Sequence, residues 1–166
     1  MSKVEKLPFC EATERFGYDL LTGEVTLLKH RRYPSQAGRK VSGLDVHGYV
    51  QISILPYGVA KGHRLAWLLH YGEWPTGQID HINGVRHDNR IENLRLASAE
   101  LNAQNKRNPL SGNKSGWLGV TYYAGAYRAS LMHRRKQHCI GMFKTPEEAH
   151  AAYVDAKRRM HEGCTL

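Results

Sequence analysis

Cysteine is scarce in this chain of 166 residues, and the three present (Cys10, Cys139 and Cys164) are odd in number, far apart and never in a Cys-x-x-Cys pair. That argues against a disulfide framework and against a structural zinc knuckle, so the chain must brace itself by packing. No apolar run approaches the ~20 residues that a membrane-spanning helix needs. The start, Met1-Ser2-Lys3-Val4-Glu5-Lys6, has no apolar signal segment, so a reducing cytoplasm is the expected setting and no membrane partner is expected. A heptad seam is also missing, which points to a monomer.

The most informative shortage is of negative charge. The chain carries 24 Lys and Arg against 15 Asp and Glu, a net +9 with pI ≈ 9.6. From Leu101 to Thr145 there is no acidic residue, while Lys106, Arg107, Lys114, Arg128, Arg134, Arg135, Lys136 and Lys144 are all basic. Residues 111–166 alone hold 9 basic against 4 acidic groups, so 9 − 4 = +5 of the net charge lies there. A solvated face normally mixes signs, and a one-sided excess favours nucleic acid over a small-molecule substrate. The hydrophobic fraction of 41% is adequate for small cores, and 18.9 kDa suits one ordinary domain or two to three small ones.

What is present is a compact polar constellation. Ile79-Asp80-His81-Ile82-Asn83-Gly84 is followed by Asp88-Asn89-Arg90-Ile91-Glu92-Asn93-Leu94-Arg95 and then by Glu100-Leu101-Asn102. Asp and Asn offer oxygen, which suits Mg²⁺, with Mn²⁺ as substitute, rather than a soft metal. Phosphodiester hydrolysis needs a nucleophilic water and charge stabilisation on the leaving oxygen, and one cation can supply the second. The water needs a base, and His has its unperturbed pKa near working pH. The roles suggested are metal ligands Asp80 and Asn102, general base His81, and Asn93 as the carboxamide that orients the imidazole.

This segment, flanking residues included, closely resembles the core of HNH endonucleases, the ββα-metal nucleases. The resemblance implies the same four roles at the same four positions. Many members have His where Asn102 stands; the phage intron-encoded branch has Asn, so the departure bears on the choice of metal. On this resemblance the cytoplasm would be that of a host cell.

Local signals fit. Gln78–Ile82 reads as a strand, Asn83-Gly84 as a turn, Leu94–Leu96 as the returning strand, and Ser98 as the N-cap of a helix over 99–107. One tension is present: neighbours on a strand point to opposite faces, so Asp80 and His81 converge only through a twist or bulge. Upstream, Phe16–Leu20 and Val25–Leu28 read as a hairpin, the basic stretch 31–41 as a loop whose Arg31, Arg32, Arg39 and Lys40 either touch phosphates or are solvated, and Gly48–Leu55 as a strand. A helix is expected over His63–Tyr71, ending at Gly72. This order resembles the region ahead of the motif in phage HNH endonucleases. His63 is open between a structural or capping role, the favoured one, and an approach to DNA or metal.

Ser111–Gly116 is a polar, Gly-rich joint. Beyond it, three strand-like runs (118–123, 127–133 and 137–143) precede a helix with Thr145 as N-cap, Pro146 at N1, Glu148 in a capping box and Gly163 at its stop. Gly119-Val120, Tyr127–Leu131, Ile140–Phe143 and Thr145–Ala149 resemble an AP2 DNA-binding domain, whose sheet enters the major groove. Period-two alternation turns Tyr127, Ala129 and Leu131 to the helix, leaving Arg128, Ser130, Met132 and Arg134 outward. By the family's pattern Thr121, Tyr123 and Gln137 share that outer face, and Arg135 and Lys136 add charge beside it.

The expected architecture is α+β. It comprises a β-rich N-terminal scaffold (1–60), an HNH core of the ββα-metal type (61–110) and a three-stranded antiparallel sheet plus helix of AP2 type (111–166). The expected function is that of a homing-type endonuclease cleaving DNA; the alternative is an inactive DNA-binding regulator that keeps the nuclease fold.

Overall fold

A computed structural model describes residues 3–30, 33–109, 111–161 and 164. Arg31, Arg32 and Gly163 lie outside the described residues. The chain divides into two compact units, Met1–Ser98 and Ala99–Leu166. Both mix helices with small antiparallel sheets, as expected of an α+β chain.

In the first unit, α1 (Phe9–Arg15) follows Pro8 and leads into the hairpin of β1 (Phe16–Tyr18) and β2 (Val25–Leu27). A second hairpin pairs β3 (Gln51–Ile54) with β4 (Gly58–Lys61), and α2 (Gly62–Tyr71) follows at once. Helix α2 ends where Gly72 turns left-handed at φ 81°, a conformation free of steric cost only without a Cβ. A third hairpin pairs β5 (Gln78–His81) with β6 (Leu94–Ala97).

The expected boundary near residue 60 runs through a single core. Val4, Leu7, Ala12, Phe16, Val25, Ile54 and Ala60 pack with Leu65 and Leu68 of α2. A short hairpin cannot bury one face alone, so the upstream segments share the helix instead of forming a separate scaffold. Neither α1 nor β4 was expected, because seven and four residues are too few to display a period. A smaller cluster, Ala66, Ile79 and Leu94, seats the β5–β6 hairpin on the other side of α2.

The second unit opens with α3 (Ala99–Gln104), shorter than expected. Its sheet runs β7 (Val120–Tyr123), β8 (Ala126–His133), β9 (Lys136–Phe143), followed by α4 (Pro146–Met160). Thr145 Oγ1 accepts from Glu148 N at 3.3 Å, which forms half of the capping box. Val120, Ala129 and Leu131 pack on Ala149 and Tyr153. Gly119 must be glycine: a Cβ there would lie 2.0 Å from the Tyr153 ring, and its φ is +77°. Lys157 is 1% exposed inside the apolar stripe of α4, and its Nζ donates to the Lys106 carbonyl at 2.5 Å.

Candidate active site

The β5–β6 ladder is regular from Gln78↔Ala97 to His81↔Leu94, with Asp80 directly opposite Arg95. No bulge relieves the alternation, so Asp80 and His81 leave opposite faces of the strand. The expected convergence of the two side chains is therefore absent along β5 itself. Asp80, 5% exposed, accepts from Arg95 Nε at 3.0 Å and Nη2 at 2.8 Å, both on Oδ2. The carboxylate expected to bind metal is thus neutralised by a cross-strand guanidinium.

His81 points to the α2 side. It is 4% exposed, and its ring meets that of His63 edge-on, with centroids 5.1 Å apart at 88°. Tyr49 lies 5.8 Å away. His81 Nε2 is 3.3 Å from Asn89 Oδ1. Burial is the main influence on its pKa and lowers it; the Asn89 contact opposes this in part. The imidazole is therefore neutral near pH 7, the form a base requires.

The carboxamide beside the imidazole is Asn89, whereas Asn93 was expected. Asn93 instead staples the loop that carries Asn89: its Oδ1 accepts from Asn83 N and its Nδ2 donates to the Asp88 carbonyl, both at 2.8 Å. Asp88 adds a second clasp, accepting from Asn83 Nδ2 at 2.7 Å and from Arg90 Nε and Nη2 at 2.9 and 2.7 Å. The Arg90 bonds come first in holding Asp88 down to about 2. From the first hairpin, Tyr18 Oη donates to the Asn89 carbonyl at 2.8 Å. Gly62 lets α2 approach closely, since a Cβ there would lie 2.9 Å from Asn89 Nδ2 and 2.8 Å from Val50 Cβ. So the Asn93 carboxamide bonds the loop that carries Asn89, not the imidazole.

His63 neither caps α2, whose N-cap Lys61 has no side-chain cap bond, nor stands exposed. Two cations flank Tyr49: Arg86 at 5.3 Å from the ring centroid and Lys61 at 5.6 Å. Lys61 is paired with Asp45, while Arg86 donates to the His47 carbonyl. No local sequence signal marks Asn89, Tyr49 or Arg86. Asn89 and Arg86 reach the site through the fold of the β5–β6 loop, and Tyr49 comes from a segment distant in the chain.

Asn102 lies half-buried on α3, in the second unit. Among the described residues no group of three or more His, Cys, Asp or Glu could hold a metal.

The sheet of the second unit carries polar and aromatic side chains on the face away from α4. Thr121, Arg128 and Met142 are cross-strand neighbours, as are Met132 and Gln137. Arg128 stacks 5.3 Å over the exposed Tyr123 ring, and Gln137 Nε2 donates to Ser130 Oγ at 3.2 Å. Arg134 does not extend this face. With φ 47° it forms, with Arg135 at φ 61°, the tight turn before Lys136, because a two-residue connection between twisted strands needs positive φ at both positions.

Residues 60–104 match the family model of an HNH endonuclease. The matched segment holds α2, β5, β6 and α3, and with them Asp80, His81, Asn93 and Asn102. It supports a nuclease, a hydrolase acting on DNA, of a family that uses divalent metals. No curated protein and no solved structure matches the chain. No helix among the described residues is long and apolar enough to cross a membrane.

Proposed function

We propose that the chain is a homing-type HNH endonuclease that hydrolyses DNA phosphodiesters, with His81 as general base. The observation that carries this reading is the buried, neutral His81 beside Asn89, within a segment that matches the HNH endonuclease model. With Asn89 Oδ1 accepting, His81 Nε2 bears the proton and Nδ1 keeps the lone pair that takes a proton from water. Strand β5 ends at His81, so a phosphate docked at the strand end would pass both Asp80 and His81. Asp80, with Asn102, would hold Mg²⁺ or Mn²⁺. The cation would supply charge stabilisation on the leaving oxygen. Arg86 is placed to neutralise a neighbouring phosphate. Asn93 and Asp88 keep the loop of Asn89 in place.

Site preference would come from the outer face of the second sheet. Thr121, Tyr123, Arg128, Ser130 and Gln137 face the groove, and Arg134, Arg135 and Lys136 lie against phosphates. A three-stranded reader of this shape, resembling an AP2 domain, and the +5 charge of residues 111–166 (9 − 4) support that assignment. The protein would act as a monomer on double-stranded DNA.

Plasmid nicking tests the reading. Supercoiled DNA should be cut with Mg²⁺, spared with chelator, and spared by His81→Ala, since loss of a general base typically lowers the rate by about 10²–10⁴-fold. Near wild-type cleavage by His81→Ala would remove His81 from the role. The Asp80–Arg95 pair favours a second reading, a DNA-binding regulator that does not cleave. It predicts tight binding with no Mg²⁺-dependent product.

A further inference from the structure

Two buried imidazoles meet in the first unit, and the mechanism above uses one of them. His63 is 8% exposed, edge-on to His81, with Tyr49 closing the group at 5.4 Å. A phenylalanine could fill much of this space without burying a polar atom. His63 instead buries Nδ1 with no hydrogen-bond partner among the described residues. An unsatisfied buried nitrogen costs about 1–3 kcal/mol. Such a group is accommodated when a water or ligand supplies the missing partner.

Charge is not what His63 contributes. It stands in the first turn of α2, where the helix dipole disfavours a cation. Burial, then the neighbouring His81, pushes its pKa down to about 3. Shape and Nδ1 remain. Beside that ring, the contact of His81 Nε2 with Asn89 Oδ1, at 3.3 Å, is longer than a well-formed bond of 2.7–3.2 Å. A contact that long does not lock the ring by itself.

We propose that His63 is a positioning residue of this site: its ring sets the orientation of the His81 imidazole, and its buried Nδ1 holds an ordered water beside it. The kinetic consequence rests on the nuclease reading; the effect on His81 does not. An ordinary core histidine would leave the His81 tautomer and kcat unmoved when replaced.

The test uses the full chain with His63→Ala and His63→Phe. Imidazole ¹⁵N NMR on the metal-free protein reads the His81 tautomer. Wild type should show one tautomer with Nε2 protonated, His63→Ala a mixture, and His63→Phe, which keeps a ring there, the single tautomer. In cleavage assays kcat should fall about 10²-fold for His63→Ala with KM for DNA unchanged, as for other small displacements of a reacting group. His63→Phe should fall between, having lost only the nitrogen. A single unchanged tautomer or a wild-type kcat in His63→Ala overturns the proposal. Should His63→Ala fail to fold, a wild-type kcat in His63→Phe overturns the part played by Nδ1, and a reduced kcat with unchanged KM supports it. Should wild type itself fail to cleave, the nuclease reading falls. The tautomer comparison then decides the role of His63 alone: a mixture supports it and a single tautomer overturns it.

Discussion

Replacing Arg95 with Met should remove the guanidinium that compensates the Asp80 carboxylate, and Mg²⁺ should then matter more. Asp80 is 5% exposed, and Oδ2 takes both Arg95 bonds, at 3.0 and 2.8 Å. Removing one partner of a buried pair costs ~3–5 kcal/mol, chiefly because the remaining charge is left without compensation. The Arg95 side chain is 26% exposed, so water screens part of the loss. A net destabilisation of about 2–3 kcal/mol is expected without divalent cation. Methionine keeps most of the apolar stem, so little packing is lost with the charge. A cation that binds only the folded state at 100 times its Kd adds about 2.7 kcal/mol. With Asp80 as a ligand, the cation would compete with Arg95 for Oδ2 in wild type and would not in Arg95→Met. Urea unfolding with and without Mg²⁺ measures both effects, and Trp67 and Trp74 lie in the first unit to report them. An equal Mg²⁺ effect on the two proteins would refute Asp80 as a ligand. Unchanged stability of Arg95→Met without Mg²⁺ would refute the compensation.

Gly62→Ala should destabilise despite the helix-propensity gain of up to ~1 kcal/mol, because the new Cβ would lie 2.8 Å from Val50 Cβ and 2.9 Å from Asn89 Nδ2. Overpacking of that kind costs ~1–3 kcal/mol, so the urea midpoint should fall, and a rise would show that the contact relaxes freely. Asp88 is held below the ordinary carboxylate value of 3.8, at about 2. The stability it contributes is full above pH 3.8 and lost as pH falls through about 2, so Asp88→Asn should flatten the acid limb of unfolding between those values, and an unchanged limb would deny the clasp. Arg128→Ala should change discrimination by about 1–3 kcal/mol at one base position if it reads a base. Uniform weakening across sequences in a binding-site selection would make it a phosphate contact instead.

Some of this molecule was legible residue by residue. The helix over 63–71 stopped at Gly72 as its periodicity and glycine required, and Thr145-Pro146 opened α4 because cap and fixed φ act within one turn. The alternation Tyr127-Ala129-Leu131 against Arg128-Ser130 assigned the faces of β8, since a strand's period is set by its own backbone. The motif from Asp80 to Asn102 was equally visible, and the chain's net charge of +9 pointed to nucleic acid. Tertiary structure decided the rest. Which carboxamide meets His81 depends on how a loop of a dozen residues folds between β5 and β6, and local signals specify its turns but not where Asn89 comes to rest. That Asp80 meets Arg95 follows from ladder register, which is chosen by burying Ile79 and Leu94 on α2. His63 and Tyr49 come from segments joined to the hairpin only through the shared core. A contact between residues so far apart in the chain is a property of packing, which no local run of sequence contains.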